Sequence, residues 1–149
     1  MSPYNYFTSL FEAESAISRE GYTEKSVPMV SKAIHMYHGH FLSEDTGKSW
    51  SSLLREKLRS KFLRHLTGLG CYWEKRGEQE KAIECFQKGI AVAPLAEEIY
   101  QHLMTCYMNL SRRSEAIAVY HRCKIVLSSE PGLQPSHKTE ALYKKLILM

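Results

Sequence analysis

Apolar side chains recur every three to four positions along most of the chain, which is the spacing of amphipathic α-helices. The first stripe, in residues 5–20, comprises Tyr6, Phe7, Leu10, Phe11, Ala13 and Ile17. The second, in about 26–38, comprises Val27, Val30, Ile34 and Tyr37. The third, in about 49–76, comprises Leu54, Leu58, Phe62, Leu66, Leu69 and Trp73. Gly21 is expected to end the first helix, and Ser26 is expected to be the N-cap of the second.

Four further helices are predicted at about 79–92, 96–110, 112–127 and 136–148. Gly77 suits a left-handed C-cap, and Pro94 is expected to mark the start of the next helix. Ser111 is expected to separate the helices at 96–110 and 112–127. Two prolines and a glycine exclude a helix from residues 130–136. The last helix has an apolar face made of Leu142, Tyr143, Leu146 and Ile147. No alternating strand pattern occurs, so an all-α fold is expected.

A pattern of small and aromatic residues recurs after 34 residues. The first copy comprises Leu66, Leu69, Gly70, Trp73, Gly77, Ala82, Phe86, Gly89 and Pro94. The equivalent positions in the second copy are Tyr100, Leu103, Met104, Tyr107, Ser111, Ala116, Tyr120, Cys123 and Ser128. This period and these residue types are the signature of tetratricopeptide repeats, which are pairs of antiparallel helices. Small residues let the helices approach, and Trp73 and Phe86 are expected to fill the space beside Gly70.

The predicted fold is a right-handed, tetratricopeptide-like array of antiparallel helix pairs with about seven helices. We expect residues 1–149 to form a single domain. Its parts would be an irregular helix pair (5–62), two repeats (63–96 and 97–130) and a capping helix (136–148). The capping helix would cover the exposed side of the last repeat.

The repeat register also predicts a partner-binding groove, because such arrays usually bind a peptide or helix along the first helix of each repeat. The groove positions would be Arg64, Thr67, Cys71, Glu74, Glu98, Gln101, Thr105 and Met108. Repeats that grip a terminal carboxylate place basic and amide side chains there, and here only Arg64 qualifies. A polar or amphipathic segment, or a neighbouring domain of the same protein, is the expected occupant.

Composition and charge are those of an ordinary globular protein, with 44% hydrophobic and 24% charged residues and a net charge of +4. Residues 48–65 hold six Lys or Arg and one acid. Lys57, Lys61 and Arg64 would form a basic face on the third helix that could contact phosphates. A solvated helix face is the simpler interpretation, because no aromatic residues interleave the charges.

Candidate chemistry is sparse. The four cysteines, Cys71, Cys85, Cys106 and Cys123, lack CxxC spacing, so they predict buried thiols rather than zinc or a disulfide framework. His35, His38 and His40 are the nearest approach to a metal-ligand cluster, but no carboxylate or cysteine accompanies them. Known catalytic motifs are missing, so we expect no enzyme, no cofactor and no metal. The sequence shows neither a membrane-spanning run nor a signal peptide, which predicts a cytoplasmic protein.

Three local motifs extend the comparison to a family. Residues 37–42 resemble the "YxGxFL" turn of the bacterial transcriptional activator domain, and Trp50 with residues 54–66 resembles the long helix that follows it. Residues 130–143, which contain Glu130, Pro131, Gly132, Pro135, Ser136, Thr139, Leu142 and Tyr143, are similar to the closing motif "ELGxxPSxxTxxLY". That family is the helical repeat module of antibiotic-regulatory-type bacterial transcription regulators.

The resemblance implies a protein–protein interaction module of a bacterial transcription regulator. Its implied partners are the transcription machinery or the regulator's own DNA-binding domain, with DNA contacted only through a separate domain. No winged helix precedes Phe7, so the chain looks like an excised or stand-alone module. Self-association through the aromatic stretch 4–11 and a general tetratricopeptide adaptor role in secretion or assembly are the alternatives left open.

Overall fold

The computed structural model describes residues 3–37 and 52–149, with side chains from Thr8 onward except those of Ser52 and Leu54. This part of the chain contains seven α-helices and no strand, which confirms the predicted all-α, tetratricopeptide-like class. The helices are α1 (Pro3–Glu20), α2 (Val27–Tyr37), α3 (Ser52–Lys75), α4 (Gln79–Val92), α5 (Glu97–Asn109), α6 (Arg113–Ser128) and α7 (His137–Ile147). Within these described ranges, no helix is both long and apolar enough to span a membrane.

The chain divides into two compact units, residues 1–69 and 70–149. In the first unit, α1 and α2 pack together, and the Tyr37 ring stacks on Phe62 of α3 with a centroid distance of 4.3 Å. The predicted stripes of α2 and α3 are buried at Val27, Val30, Ile34, Tyr37, Leu58, Phe62, Leu66 and Leu69. In α1, Leu10 and Ala13 are buried as expected, but Phe11 is 73% exposed and the prediction for it is wrong. The cause is the helical register, because Ala16 rather than Phe11 completes the buried face.

The start of α2 is capped one turn earlier than predicted. The Ser26 hydroxyl accepts from the Thr23 amide at 2.9 Å, while the Ser26 amide donates to the Thr23 hydroxyl at 3.2 Å. This reciprocal pair is a capping box in which Thr23 occupies the cap position. Ser26 is fully buried, and its hydroxyl also donates to the Gly21 carbonyl at 2.7 Å. Ser26 therefore precedes the first residue of α2, as expected of an N-cap, but its hydroxyl accepts from Thr23 rather than from an amide inside α2.

In the second unit, the close approach predicted at Gly70 is present. A Cβ atom built on Gly70 would lie 2.6 Å from Cε1 and Cζ of Phe86, which is fully buried. Trp73 is half-buried rather than enclosed, and the Lys81 ammonium lies 4.3 Å from its ring centroid. The small-residue positions Ala82 and Ala116 are both fully buried, so the two copies of the repeat pack by the same rule.

The turns that end α3 and α5 are equivalent in detail. Gly77 has φ +80°, and Ser111, which is 34 residues later, has φ +57°. After α3, the Glu78 amide donates to the Trp73 carbonyl at 2.9 Å. After α5, the Arg112 amide donates to the Tyr107 carbonyl at 2.8 Å. Both are the six-to-one bond of a Schellman motif, so the period predicted from side chains also holds for the backbone.

The predictions for Pro94 as a helix start and for Ile147 as a buried residue are wrong. Pro94 lies between α4 and α5, three positions before Glu97, and does not begin the helix. On α7, Leu146 is fully buried and Leu142 and Tyr143 are half-buried, but Ile147 is 48% exposed because the helix ends there.

Candidate partner-binding groove

The predicted groove positions fall in two places. Cys71 and Glu74 at the end of α3 and four residues of α5, Glu98, Gln101, Thr105 and Met108, lie in the second unit. Arg64 and Thr67 belong to the first unit, where Arg64 is exposed and Thr67 is half-buried. Six of the eight predicted groove positions thus lie together in the second unit, on α3 and α5.

His102, which the sequence analysis did not select, connects the two helices. Its Nδ1 lies 3.1 Å from Glu74 Oε1, and its Nε2 lies 3.9 Å from Cys71 Sγ and 3.7 Å from Glu98 Oε1. The imidazole also stacks on the Phe86 ring, with centroids 4.8 Å apart and an interplanar angle of 8°. Contacts on its edge and on its face thus fix the position of the ring.

The electrostatic environment of this cluster is acidic. The Glu98 side chain is 73% exposed, whereas that of Glu74 is 19% exposed. Burial, followed by the charges of Glu74 and Glu98, raises the pKa of the Cys71 thiol, and Lys75 opposes this shift. Cys71 is accordingly a protonated thiol at neutral pH, next to a carboxylate-rich surface.

The other side of α5 is covered by the closing motif. The Ser136 amide donates to Glu97 Oε2 at 2.6 Å, and the Thr139 hydroxyl donates to the same oxygen. The Gln101 amide nitrogen donates to the Thr139 hydroxyl at 2.9 Å, and both Gln101 and Thr139 are buried. Gln101 therefore holds α7 in place, and its side chain is unavailable to another molecule.

A second set of contacts fixes the far side of α7. The Tyr120 hydroxyl donates to Glu140 Oε1 at 2.7 Å, and its ring stacks on Tyr143 with centroids 3.9 Å apart. Burial, followed by the bond to Glu140, raises the pKa of Tyr120 to about 12. The Arg113 guanidinium donates to the Leu146 carbonyl at 2.7 Å. The stacking on Tyr120 gives Tyr143, the last residue of the closing motif, a role in holding α7.

A surface cavity of about 300 Å³ lies beside this anchorage. Its lining includes Tyr120, Lys124, Leu133, Pro135 and Glu140. Because Tyr120 and Glu140 are bonded to each other there, the cavity is a consequence of how α7 docks.

The predicted basic face is partly neutralised in the first unit. Lys61 Nζ lies 2.9 Å from Glu14 Oε1, whereas Lys57 and Arg64 are exposed. Burial alone would raise the pKa of Glu14, but its hydrogen bond and charge interaction with Lys61, aided by His65, hold it below the usual value. His65 is buried, with Nε2 3.7 Å from Glu14 Oε1, and burial lowers its pKa. Two of the three predicted cations thus remain available to solvent.

The cysteine prediction is correct for three of the four residues. Cys85, Cys106 and Cys123 are buried, whereas Cys71 is half-buried, and all four are free thiols. Of the three histidines considered together, His35 is exposed on α2. His38 and His40 lie outside the described residues, as do the family motif at 38–42 and Trp50.

The chain matches the family described as the bacterial transcriptional activator domain over residues 4–147. Because this match covers nearly all 149 residues, the chain belongs to that family, as its motifs indicated. It is a transcription-regulator domain, and its family is not a class of enzymes.

Among curated proteins, the chain is similar to the transcriptional regulatory protein MoaR1 of Mycobacterium bovis (strain BCG / Pasteur 1173P2) and of Mycobacterium tuberculosis (strain ATCC 25618 / H37Rv). Each is 25% identical over 141 residues, an alignment that covers 95% of this chain and 45% of the relative. The chain therefore spans less than half the length of these relatives.

Sequence reasoning missed two residues that organise the site, His102 and Glu97. Thr139 and Ser136 were noted only as parts of the family motif, without their partner Glu97. One signal in the sequence could have indicated these contacts. The short polar motif "PSxxT" offers hydroxyl groups, and Glu97 and Gln101, four positions apart on α5, offer an acid and an amide to bond them. His102 had no local signal, because its partners on α3 are 28 and 31 positions away.

Proposed function

We propose that this domain is a protein–protein interaction module of a bacterial transcription regulator. It docks a protein segment on the part of α5 that α7 leaves open. The observation that carries the proposal is that α7 covers only some positions of α5. Glu97 and Gln101 bond to the closing motif, whereas Glu98 is exposed and Thr105 and Met108 are half-buried.

The charge of this face selects the partner. Glu74 and Glu98 flank His102, and no lysine or arginine of the described residues forms an ion pair with either of them. A segment carrying lysine or arginine, with a short apolar stretch over Met108, is complementary to this surface. Such a segment can belong to the transcription machinery or to the DNA-binding domain of the same regulator.

Contact with DNA is assigned in this proposal to a separate domain. The chain corresponds to 45% of each relative, which leaves room in those proteins for other domains. Within residues 57–64, the ion pair between Lys61 and Glu14 weakens the basic face as a phosphate-binding surface. This chain alone should therefore not shift DNA in a gel through Lys57 and Arg64. Any shift that does occur should be the same for the parent and for the Lys57→Glu, Arg64→Glu double variant.

The test is a binding titration of the purified chain against separate RNA polymerase subunits and against the regulator's DNA-binding domain. Glu98→Lys and Thr105→Arg place charge and bulk on the open face of α5, and each should weaken binding at least about tenfold. Glu84→Lys changes an exposed glutamate on α4 and serves as the matched control.

Association that falls with Glu98→Lys and Thr105→Arg but not with Glu84→Lys supports the groove. Equal binding by all variants would mean that the interface lies elsewhere on the domain and would contradict the groove. No association with either class of partner, together with peptide-library hits that compete at Thr105, would favour the general adaptor instead.

A further inference from the structure

The cluster at the α3–α5 contact brings together three classes of metal-ligand atom. The Cys71 sulfur, a Glu74 carboxylate oxygen and a His102 ring nitrogen all lie within 4.8 Å of one another. Thiolate and imidazole are the ligands that Zn²⁺ prefers, and carboxylate is a common third. The residues come from two helices that the fold holds against each other, so the grouping does not depend on a flexible loop.

The two His102 nitrogens have different surroundings. Nδ1 lies 3.1 Å from Glu74 Oε1, so the tautomer with its proton on Nδ1 donates a hydrogen bond to this carboxylate. Nε2 is then left with its lone pair directed toward the Cys71 sulfur at 3.9 Å. In zinc-bound histidines, one ring nitrogen typically donates to a carboxylate while the other, unprotonated nitrogen binds the metal. Here Nδ1 and Nε2 of His102 have these two environments.

The separation of the donor atoms suits a shared cation. Zinc bonds of about 2.3 Å to sulfur and about 2.0–2.1 Å to nitrogen, at a tetrahedral angle, place the two atoms about 3.5 Å apart. The observed 3.9 Å between Cys71 Sγ and His102 Nε2 closes to that value with a small change of the Cys71 rotamer. Glu98 Oε1 lies 3.7 Å from the same nitrogen, on a side chain that is 73% exposed, and it would have to turn toward Cys71 to join the two other ligands.

We propose that Cys71 and His102 bind a divalent cation of the Zn²⁺ class, with Glu98 as the third protein ligand and Glu74 as the residue that orients the imidazole. Water completes the coordination sphere, because Glu98 approaches from the solvent side. This site shares Glu74, Glu98 and His102 with the acidic surface of the proposed partner interaction, so a bound cation would reduce the negative charge that a basic segment meets. The site itself is tested without any partner.

Charge and proton balance support the cation. Binding converts the Cys71 thiol to a thiolate with formation of the metal–sulfur bond, and the proton passes to solvent. The Glu74 and Glu98 carboxylates beside the cluster bring negative charge that the metal's two positive charges compensate.

The experiment is a titration of the tag-free, chelator-treated chain with Zn²⁺ in competition with a chromophoric chelator. Co²⁺ is used in parallel, because a thiolate ligand gives a charge-transfer absorption. We expect one ion per chain. Cys71→Ser and His102→Ala should each weaken binding by roughly a hundredfold or more, and Cys71→Ser should remove the charge-transfer band.

Glu74→Gln tests positioning separately from ligation. The amide oxygen still accepts from Nδ1–H, so the Co²⁺ spectrum should keep its shape while affinity falls about 10–100-fold. Glu98→Gln should weaken binding and change the spectrum, since a ligand is lost. His137→Ala and Glu84→Gln alter an exposed histidine and an exposed glutamate outside the cluster, and both should bind as the parent does.

Circular dichroism of each variant establishes that it is folded. A rise in melting temperature with Zn²⁺ for the parent, absent for folded Cys71→Ser, provides a second readout. Binding that survives Cys71→Ser unchanged would mean adventitious surface histidines only and would overturn the proposal. Absence of stoichiometric binding by the parent chain would overturn it as well.

Discussion

At the scale of single residues, Gly70 shows how one missing side chain permits the packing of α3 against α4. The Phe86 ring occupies the space that a Cβ atom at position 70 would need, at 2.6 Å from two ring carbons. Both partners are buried, so neither can move away without disturbing other core side chains. The aromatic ring and the glycine therefore act as one packing unit.

Gly70→Leu should separate these helices and cost roughly 1–3 kcal/mol or more in the free energy of unfolding. Lys57→Ala, at an exposed position of the same helix, should stay within about 0.5 kcal/mol of the parent. Urea unfolding followed by circular dichroism measures both. Equal midpoints for the two variants would contradict the packing described here.

Gly70, Ala82 and Phe86 were assigned correctly from the sequence because the repeat specifies which residue type fits each place. Phe11 was not, because α1 lies outside the repeats and its neighbouring positions offered two nearly equivalent faces. The metal-ligand cluster could not be found from spacing, because Cys71 and His102 are 31 positions apart and meet only through helix packing. Residue types predict the core more directly than they predict a site built from different helices.

At the scale of elements, the turns after α3 and α5 share one backbone conformation but differ in side chain. Gly77 adopts its positive φ without a steric penalty, whereas Ser111 adopts φ +57° with a Cβ atom present. A left-handed conformation costs a residue other than glycine roughly 1–2 kcal/mol. The second repeat therefore contains a small local strain that the first repeat lacks.

Ser111→Gly should relieve this strain and raise the free energy of unfolding by about 0.5–1 kcal/mol, after allowance for the greater freedom of glycine in the unfolded chain. Gly77→Ser is the matched reverse change, and it should lower stability by about 1 kcal/mol. A Cβ atom at Gly77 would meet nothing within 4 Å, so only backbone conformation is tested. Opposite shifts in thermal unfolding are expected, and a loss of stability in Ser111→Gly would refute the assignment of strain.

The docking of α7 depends on the ionised form of Glu97. Burial alone would raise the pKa of Glu97, but hydrogen bonds from Thr139 and Ser136 outweigh this effect and hold it below the usual value. A carboxyl whose pKa is lowered on folding stabilises the folded state above its unfolded pKa of about 4.3. That stability is lost as the pH falls through the lower, folded value.

Glu97→Gln should weaken the docking of α7 by about 1–3 kcal/mol at neutral pH, because the amide replaces a charged acceptor. It should also remove part of the loss of stability in acid. Hydrogen exchange of the α7 amides from neutral pH down to about pH 2.5, corrected for the intrinsic exchange rate at each pH, measures both effects, because the loss falls below the unfolded pKa of about 4.3. Glu130→Gln, in the exposed segment before α7, is the control, and an identical acid response in the two variants would exclude Glu97 as the cause.

At the scale of the whole molecule, the sequence predicted the fold class and the family because both follow from patterns that run along the chain. Six of the seven predicted helices agree with the structure within about two residues at each end, and the third, which is described from Ser52 onward, ends at Lys75, one residue before the predicted end. The candidate site was harder to predict, because neighbouring positions of α5 differ in whether α7 covers them. Gln101 was assigned to the groove, and only the docked closing motif shows that it is used internally.

The distribution of thiols has a practical consequence. Burial raises the pKa of Cys85 and Cys123 to about 11 and that of Cys106 to about 12, so these three sulfurs are protected from alkylating reagents. Cys71 is the accessible member of the four. A maleimide fluorophore should therefore react with Cys71 before the other three, most readily at alkaline pH because the pKa of the Cys71 thiol is also raised. Its emission would then register the arrival of a bound segment without any engineered cysteine.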